Sequence, residues 1–319
     1  MERWRARKVV IVGAGAVGST FAYALAQSGV ADEIVLTDID RDLAQGQVLD
    51  LAHGLPFYPN VQISAGTALD YRDAHVIVIT AGSKQHPGES RLNLLQRNAR
   101  IIESIMDEIQ DQGSQAVVVV TSNPVDVLTY VAQQRVKWPR GRVIGSGTVL
   151  DSARLRYLLS RHCGVDVHNV HAYVLGEHGD SEFAAWSMTH IAGMHIDDYC
   201  PMCGKCKDWQ DERQKIEEEV RTSAYHIIGY KGATYFAVGQ ALVRIVSAIV
   251  RNEKSVLPVS TVLDGEYGLR EVSLGVPAIV GEAGVERVFH SDLPAAEQAA
   301  LERSAGILKQ AIAQLGEAH

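Results

Sequence analysis

The sequence predicts an α/β fold, with a doubly wound parallel sheet in the first half and a second unit of α+β character. Three observations predict it. Apolar runs such as "KVVIV", "HVIVIT" and "AVVVVT" are continuous rather than alternating, as in strands covered on both faces. They take turns with stretches of helical periodicity, which implies parallel strands joined by crossover helices. After about Ser146 that rhythm stops.

The elements follow in order. "KVVIV" leads through a glycine-rich turn into the helix "STFAYALAQSG", and "EIVLTD" leads into a second helical stretch. Then come "VQISAG", "HVIVIT", a long helix from about Arg91, "AVVVVT", a helix beginning near Pro124, and "RVIGS". In the long helix Leu92, Leu95, Ala99, Ile102, Ile105, Met106 and Ile109 recur at spacings of three and four, one buried stripe. The second unit opens with the helix "LDSARLRYLLSRH" and the alternating stretch "VHAYVLGEHG", followed by "FAAWSMTHIAG". Two helical segments (about 208–229 and 232–250), the strand-like runs "VLPVSTVL", "LREVSLGVPAIVG" and "VERVFH", and an amphipathic terminal helix complete it. The expected halves are residues 1–146 and 147–319.

At 319 residues with 46% apolar and 21% charged side chains, the chain has a globular composition with a substantial core. A formal net charge of -8 argues against nucleic acid or an anionic membrane as the main partner. No apolar run approaches the roughly 18–20 residues of a membrane span. The start "MERWRARKVVIVG" lacks the apolar core and cleavage site of a signal peptide, so a cytoplasmic protein is expected.

"VVIVGAGAVGS" sets Gly13, Gly15 and Gly18 between a strand and a helix. Gly13 permits the tight turn, Gly15 lets the backbone approach a pyrophosphate, and Gly18 lets helix and strand pack closely. The helix N-terminus offers unpaired N–H groups to phosphates. Asp38 ends the next strand, twenty residues after Gly18, where an acid binds ribose hydroxyls and repels a 2′-phosphate. This pattern makes the first half a dinucleotide-binding domain with a preference for NAD. A glycine-rich turn beside a helix-capping aspartate is the plainer alternative.

"VLGEHGDSE" places His178 between small residues that leave one face of its ring open. A lone histidine is more often structural. Here "LDSAR" supplies Asp151 and Arg154 three residues apart, on one helical face. An acid that orients a histidine and stabilises its cation supports acid–base chemistry, and an arginine fork beside it suits a carboxylate.

These motifs, with "GESRLNLLQRN", "TSNPVDV", "GSGTVLDSARLR" and "KGATY" in order along nearly the whole chain, resemble the lactate/malate dehydrogenase family, and within it the NAD-dependent L-lactate dehydrogenases. The resemblance implies that His178 donates and accepts the proton, Asp151 holds it, and Arg154 pairs with the substrate carboxylate. Asn123 would lie near nicotinamide and substrate, and Thr234 beside the substrate side chain. Val17, Asp38, Gly82, Ser83, Ser104, Thr121 and Ser146 fall at the family's cofactor-contact positions.

The stretch "SKQHPGESR" (83–91) belongs to an expected mobile loop at about 82–91. The resemblance implies that it closes over substrate and brings Arg91 to polarise the ketone oxygen, where negative charge develops in the transition state. Gln85, six residues earlier, would face the substituent on the reacting carbon. Malate-specific relatives carry arginine there; beside a neutral glutamine, a second substrate carboxylate would be buried unpaired, at a cost of several kcal/mol or so. Pyruvate and L-lactate are therefore the expected substrates, with NAD as cofactor. Malate dehydrogenase is the rival enzyme, and a non-catalytic NAD-binding protein the rival of another class.

Arg156 lies about 200° round the helix from Arg154, and His171 precedes His178 by seven residues. Relatives activated by fructose 1,6-bisphosphate carry arginine and histidine at these positions, near a twofold interface. An allosteric site for that effector is expected, as is a homo-oligomer, a tetramer by resemblance. Two ordinary interface cations are the alternative.

"CPMCGKC" carries Cys200, Cys203 and Cys206 at metal-like spacing, but a structural zinc wants four ligands, so reduced thiols in a surface turn are expected over a metal or a disulfide. A metal on the histidines of "HNVH" and His178 is likewise set aside, so no metal site is expected.

Overall fold

The computed structural model describes residues 6–83, 88–205 and 208–316; Gln85 and Cys206 lie outside them. In the first half the order is β1 (Lys8–Val12), α1 (Ala16–Ser28), β2 (Glu33–Thr37), α2 (Arg41–His53), β3 (Gln62–Ala65), β4 (Val76–Ile79), α3 (Arg91–Asp111), β5 (Val117–Val120), α4 (Val125–Arg135) and β6 (Val143–Gly145). These strands are parallel and lie in the order β6-β5-β4-β1-β2-β3. Strand order reverses between β1 and β4, where such sheets open a ligand crevice at their carboxyl ends.

Both faces of the sheet are covered, which explains the uninterrupted apolar strands. Val9 and Ile11 of β1 pack with Phe21 and Leu25 of α1, while Val10 and Val12 face the cluster that contains Ile102, Met106 and Ile109 of α3. The predicted stripe of α3 is buried from Leu95 to Ile109, but Leu92 is only half-buried. Asn98, absent from that stripe, is buried too. A polar side chain on a core face needs partners, and Asn98 has them: its oxygen accepts from Ser83 N at 2.8 Å and its amide donates to Asn123 O at 3.2 Å.

The second half runs α5 (Val149–Cys163), β7 (Val170–His171), β8 (Val174–Leu175), β9 (Phe183–Ala184), β10 (His190–Ile191), β11 (Met194–His195), α6 (Ile196–Cys203), α7 (Trp209–Lys231), α8 (Phe236–Val250), β12 (Ser255–Asp264), β13 (Arg270–Gly281), β14 (Gly284–Val288) and α9 (Ala295–Gly316). Strands β12 to β14 are antiparallel and extend the first sheet, joining it where Ser260 pairs with Gly145. The two halves thus share one mixed sheet. Helix α8 lies across this join, with Gly239 close against Thr20 and Phe21 of α1.

The cysteine-rich stretch differs from the surface turn the sequence predicts. Ile196–Cys203 is helical, with His195 accepting from Asp197 N and Gly204 ending it in the left-handed region. Ile196 is buried in the same small core as Leu155 and Leu159 of α5, and Cys200, four residues on, is buried as well; this burial wins over turn propensity. Cys163, Cys200 and Cys203 form no disulfide among the described residues.

Candidate active site

The turn after β1 is built as the glycine spacing demands. Gly13 has φ +106°, and a Cβ there would meet Ala81 N at 2.7 Å. A Cβ on Gly18 would lie 1.9 Å from Gly13 O, so helix and turn touch backbone to backbone. Around Gly15 nothing lies within 4 Å of a built Cβ, which leaves its backbone open to a ligand. No side chain caps α1, so its first N–H groups point to that same space. Asp38 accepts from Ala14 N at 2.7 Å and from Asp40 N at 2.9 Å, tying the end of β2 to the turn. Val17 is half-buried on the first turn of α1.

Further along the strand ends, Gly82 and Ser83 follow β4, Thr121 follows β5 and Ser146 follows β6. Ser146 N donates to Val120 O at 2.8 Å. The Thr121 hydroxyl is buried without a hydrogen-bond partner among the described residues, a vacancy of bonding that suits a polar ligand in the crevice. These residues fit a dinucleotide laid across the switch point. Ser104 lies exposed on α3, apart from them.

Beside this crevice is a cavity of about 580 Å³ whose wall includes Arg91, Asn123, Asp151, Arg154 and His178. His178 Nδ1 bonds to Asp151 Oδ2 at 2.6 Å, and Arg154 Nη1 donates to Asp151 Oδ1 at 2.6 Å. Asp151 is 1% exposed, whereas the His178 side chain is 26% exposed. With Nδ1 turned to the carboxylate, Nε2 is the nitrogen left for a ligand. Burial by itself would lower the His178 pKa, but the Asp151 charge and hydrogen bond outweigh it and raise it to about 9. Burial also penalises the Asp151 carboxylate; His178 and Arg154 overcome that and hold its pKa below the usual range.

Three successive residues fix the histidine's loop. Gly176, at φ +97°, exchanges backbone hydrogen bonds with Gly275 of β13. Glu177 N donates to Ser304 Oγ of α9 at 2.6 Å, and His178 N donates to Asp126 Oδ2 of α4 at 2.7 Å. Arg91 is the first residue of α3, exposed at the cavity rim, with Ser90 capping the helix by accepting from Asn93 N. Thr234 lies half-buried in the turn between α7 and α8, outside the cavity wall as described.

Sequence reasoning missed two carboxyls. Glu182 is 4% exposed, and its donor atom lies within 4.8 Å of those of Asp151 and His178. Burial and then the Asp151 charge push its pKa to about 9, so it holds its proton at neutral pH. Asp126 is 1% exposed, and burial raises its pKa to about 6 although Ser260 and the His178 N–H both bond it. Both stand in quoted motifs, but an acid in a loop or in a helix's first turn ordinarily reads as solvated.

A second cavity, of about 510 Å³, opens on the far side of α5. Arg156, His171, Tyr173 and Arg244 are in its wall, so the two predicted effector residues are brought together. Arg156 Nε donates to Val170 O at 2.8 Å, which holds the guanidinium beside β7.

Comparison with known proteins bears on the whole chain. Residues 7–145 match the model of the lactate/malate dehydrogenase NAD binding domain, and residues 148–318 that of the lactate/malate dehydrogenase alpha/beta C-terminal domain. An L-lactate dehydrogenase of Treponema denticola is 61% identical, covering 97% of this chain and 98% of its own length. One from Acetivibrio thermocellus is 49% identical, with 97% of each chain covered. Among solved structures, a lactate dehydrogenase from a Medee basin deep-sea metagenome library superposes with a TM-score of 0.95 at 43% identity, covering 98% of this chain and 100% of that one. The minor L-lactate dehydrogenase of Enterococcus mundtii, with ligands bound, gives a TM-score of 0.93 at 42% identity, covering 96% of this chain and 98% of the other. The crevice at the switch point, the histidine–aspartate–arginine cluster beside it and these matches across both halves lead to one conclusion: the chain belongs to the lactate/malate dehydrogenase family, with that family's NAD-binding fold.

Proposed function

We propose that the protein is an NAD-dependent L-lactate dehydrogenase that reversibly reduces pyruvate to L-lactate, with residues 1–146 binding the cofactor and 147–319 carrying the chemistry. The observation that carries this reading is the pair of 2.6 Å contacts that link His178, Asp151 and Arg154 in one cavity. The names of the relatives support the substrate.

Bound NADH supplies a hydride to the ketone carbon. His178, cationic at neutral pH, gives the proton from Nε2 to the oxygen, while Asp151 holds the ring and favours its charged form. Arg154 still has N–H groups beyond the one spent on Asp151, and these meet the substrate carboxylate in a fork. Arg91 approaches from the rim to stabilise charge on the oxygen, and Asn123 orients it. Thr234 and the neutral Gln85 complete the specificity. In the reverse direction neutral His178 is the base.

Fructose 1,6-bisphosphate is the effector of the second cavity in this reading, since Arg156, the Glu253-paired Arg244 and the ring of His171 line it and offer donors for two phosphates. A homotetramer in the cytoplasm is part of the same reading. Large apolar side chains left exposed on α1, α2 and around the α7–α8 turn, among them Tyr23, Leu49, Tyr230 and Phe236, support subunit contacts.

NADH oxidation with pyruvate and with oxaloacetate, each with and without the bisphosphate, tests the proposal. Pyruvate is expected to be turned over much faster, and the bisphosphate to lower its half-saturation concentration. Faster use of oxaloacetate would make the enzyme a malate dehydrogenase. An unmoved saturation curve would remove the effector.

A further inference from the structure

Asp126 is spent on two donors from different parts of the fold. Its Oδ2 accepts the backbone N–H of His178 at 2.7 Å, and its Oδ1 accepts the Ser260 hydroxyl at 2.6 Å. Ser260 in turn shares a hydrogen bond with Ser273 at 2.8 Å. Asp126 is 1% exposed, and both serines are fully buried. One carboxylate at the start of α4 therefore joins the cofactor half to strands β12 and β13 and to the loop that carries the catalytic ring. A neutral, apolar side chain of similar size would fill the same space, yet the site keeps a buried charge beside the histidine.

We propose that Asp126 is a positioning residue for the acid–base step: it fixes His178 through the backbone and lends its negative charge to the imidazolium. This rests on His178 being the proton donor and acceptor. Other charged or titratable groups face the ring as well: Asp151 and Arg154 on α5, Glu177, Asp180 and Glu182 in the loop, Arg91 on α3, and Arg221 and Tyr225 on α7. Asp151 holds the ring nitrogen directly; Asp126 acts one bond system away, on the main chain. It ionises through about pH 6 and is therefore charged across the range in which His178 titrates.

Asp126→Asn separates charge from position. The amide oxygen still accepts the His178 N–H, its NH2 group donates to Ser260 Oγ, and the Ser260 hydroxyl turns to Ser273, so the fold is preserved. The experiment measures the pH dependence of kcat/KM for pyruvate reduction and lactate oxidation in the wild type, Asp126→Asn and Asp126→Ala. In the wild type pyruvate reduction should fall, and lactate oxidation rise, as pH passes about 9. In Asp126→Asn both transitions should move together to lower pH by about half a unit or more, with little change in the pyruvate plateau. Asp126→Ala should also lose at least about 10-fold in kcat with unchanged NADH affinity, since the main chain that carries the ring is no longer held, and the asparagine variant should restore it. Transitions that stay in place in a folded Asp126→Asn enzyme, as judged by its melting curve, would overturn the proposal. A wild-type enzyme without pyruvate turnover would instead overturn the assignment of function on which it rests.

Discussion

Two side chains show how differently charge is used within one cavity. Arg91 stands at the rim, tied into no ion pair among the described residues, and under the proposed mechanism its guanidinium counts only once charge builds on the substrate oxygen. Arg91→Gln should lower turnover by about two orders of magnitude or more, the scale of a lost oxyanion donor. NADH affinity, followed by nucleotide fluorescence in stopped flow, should stay within a few-fold; equal turnover would take Arg91 out of the reaction. Glu182 is the opposite case. Its folded-state pKa of about 9 lies above its unfolded value, so the burden of burying it is absent below the unfolded pKa and grows as pH rises toward 9. Glu182→Gln imitates the protonated acid. It should raise the melting temperature by several degrees at pH 8 and leave it unchanged at pH 4. A melting temperature that shifts equally at both values would mean that Glu182 is ionised in the native state.

At the level of elements, the turn between β1 and α1 makes a paired prediction. Gly18→Ala sets a methyl group against Gly13 O, so the turn must shift; melting temperature and NADH affinity should fall together. Gly15→Ala meets no protein atom within 4 Å, so the fold should be kept while NADH binding weakens at least about 10-fold. Calorimetric titration beside a melting curve separates the two; loss of stability in Gly15→Ala would contradict an open turn. This turn was legible in the sequence because each glycine answers a local geometric demand. So were β1, β4 and β5, whose apolar runs have only one explanation. Helix α6 was not, because its burial of Ile196 depends on α5 arriving from far away in sequence. Asp126 was equally hidden: the partners that make it more than a first-turn acid, Ser260 and His178, come from distant segments.

Across the whole molecule, one sheet runs from β3 at one edge to β14 at the other, so the boundary between halves at about residue 146 is crossed by strand pairing and overlaid by α8. Amide exchange should report this. With NADH and oxamate bound, the first turn of α3 and the face of α7 near Tyr225 should slow, while β6 and β12 should be slow with or without ligands. Faster exchange at β6 and β12 in the free enzyme would argue for a hinge there. The join has a mechanical corollary. Jaws that swing on a flexible connection are denied to an enzyme stitched together at Ser260 and Gly145, so whatever seals reactants from water must be a rim part moving over an unyielding floor, and the proton donor rides on the floor.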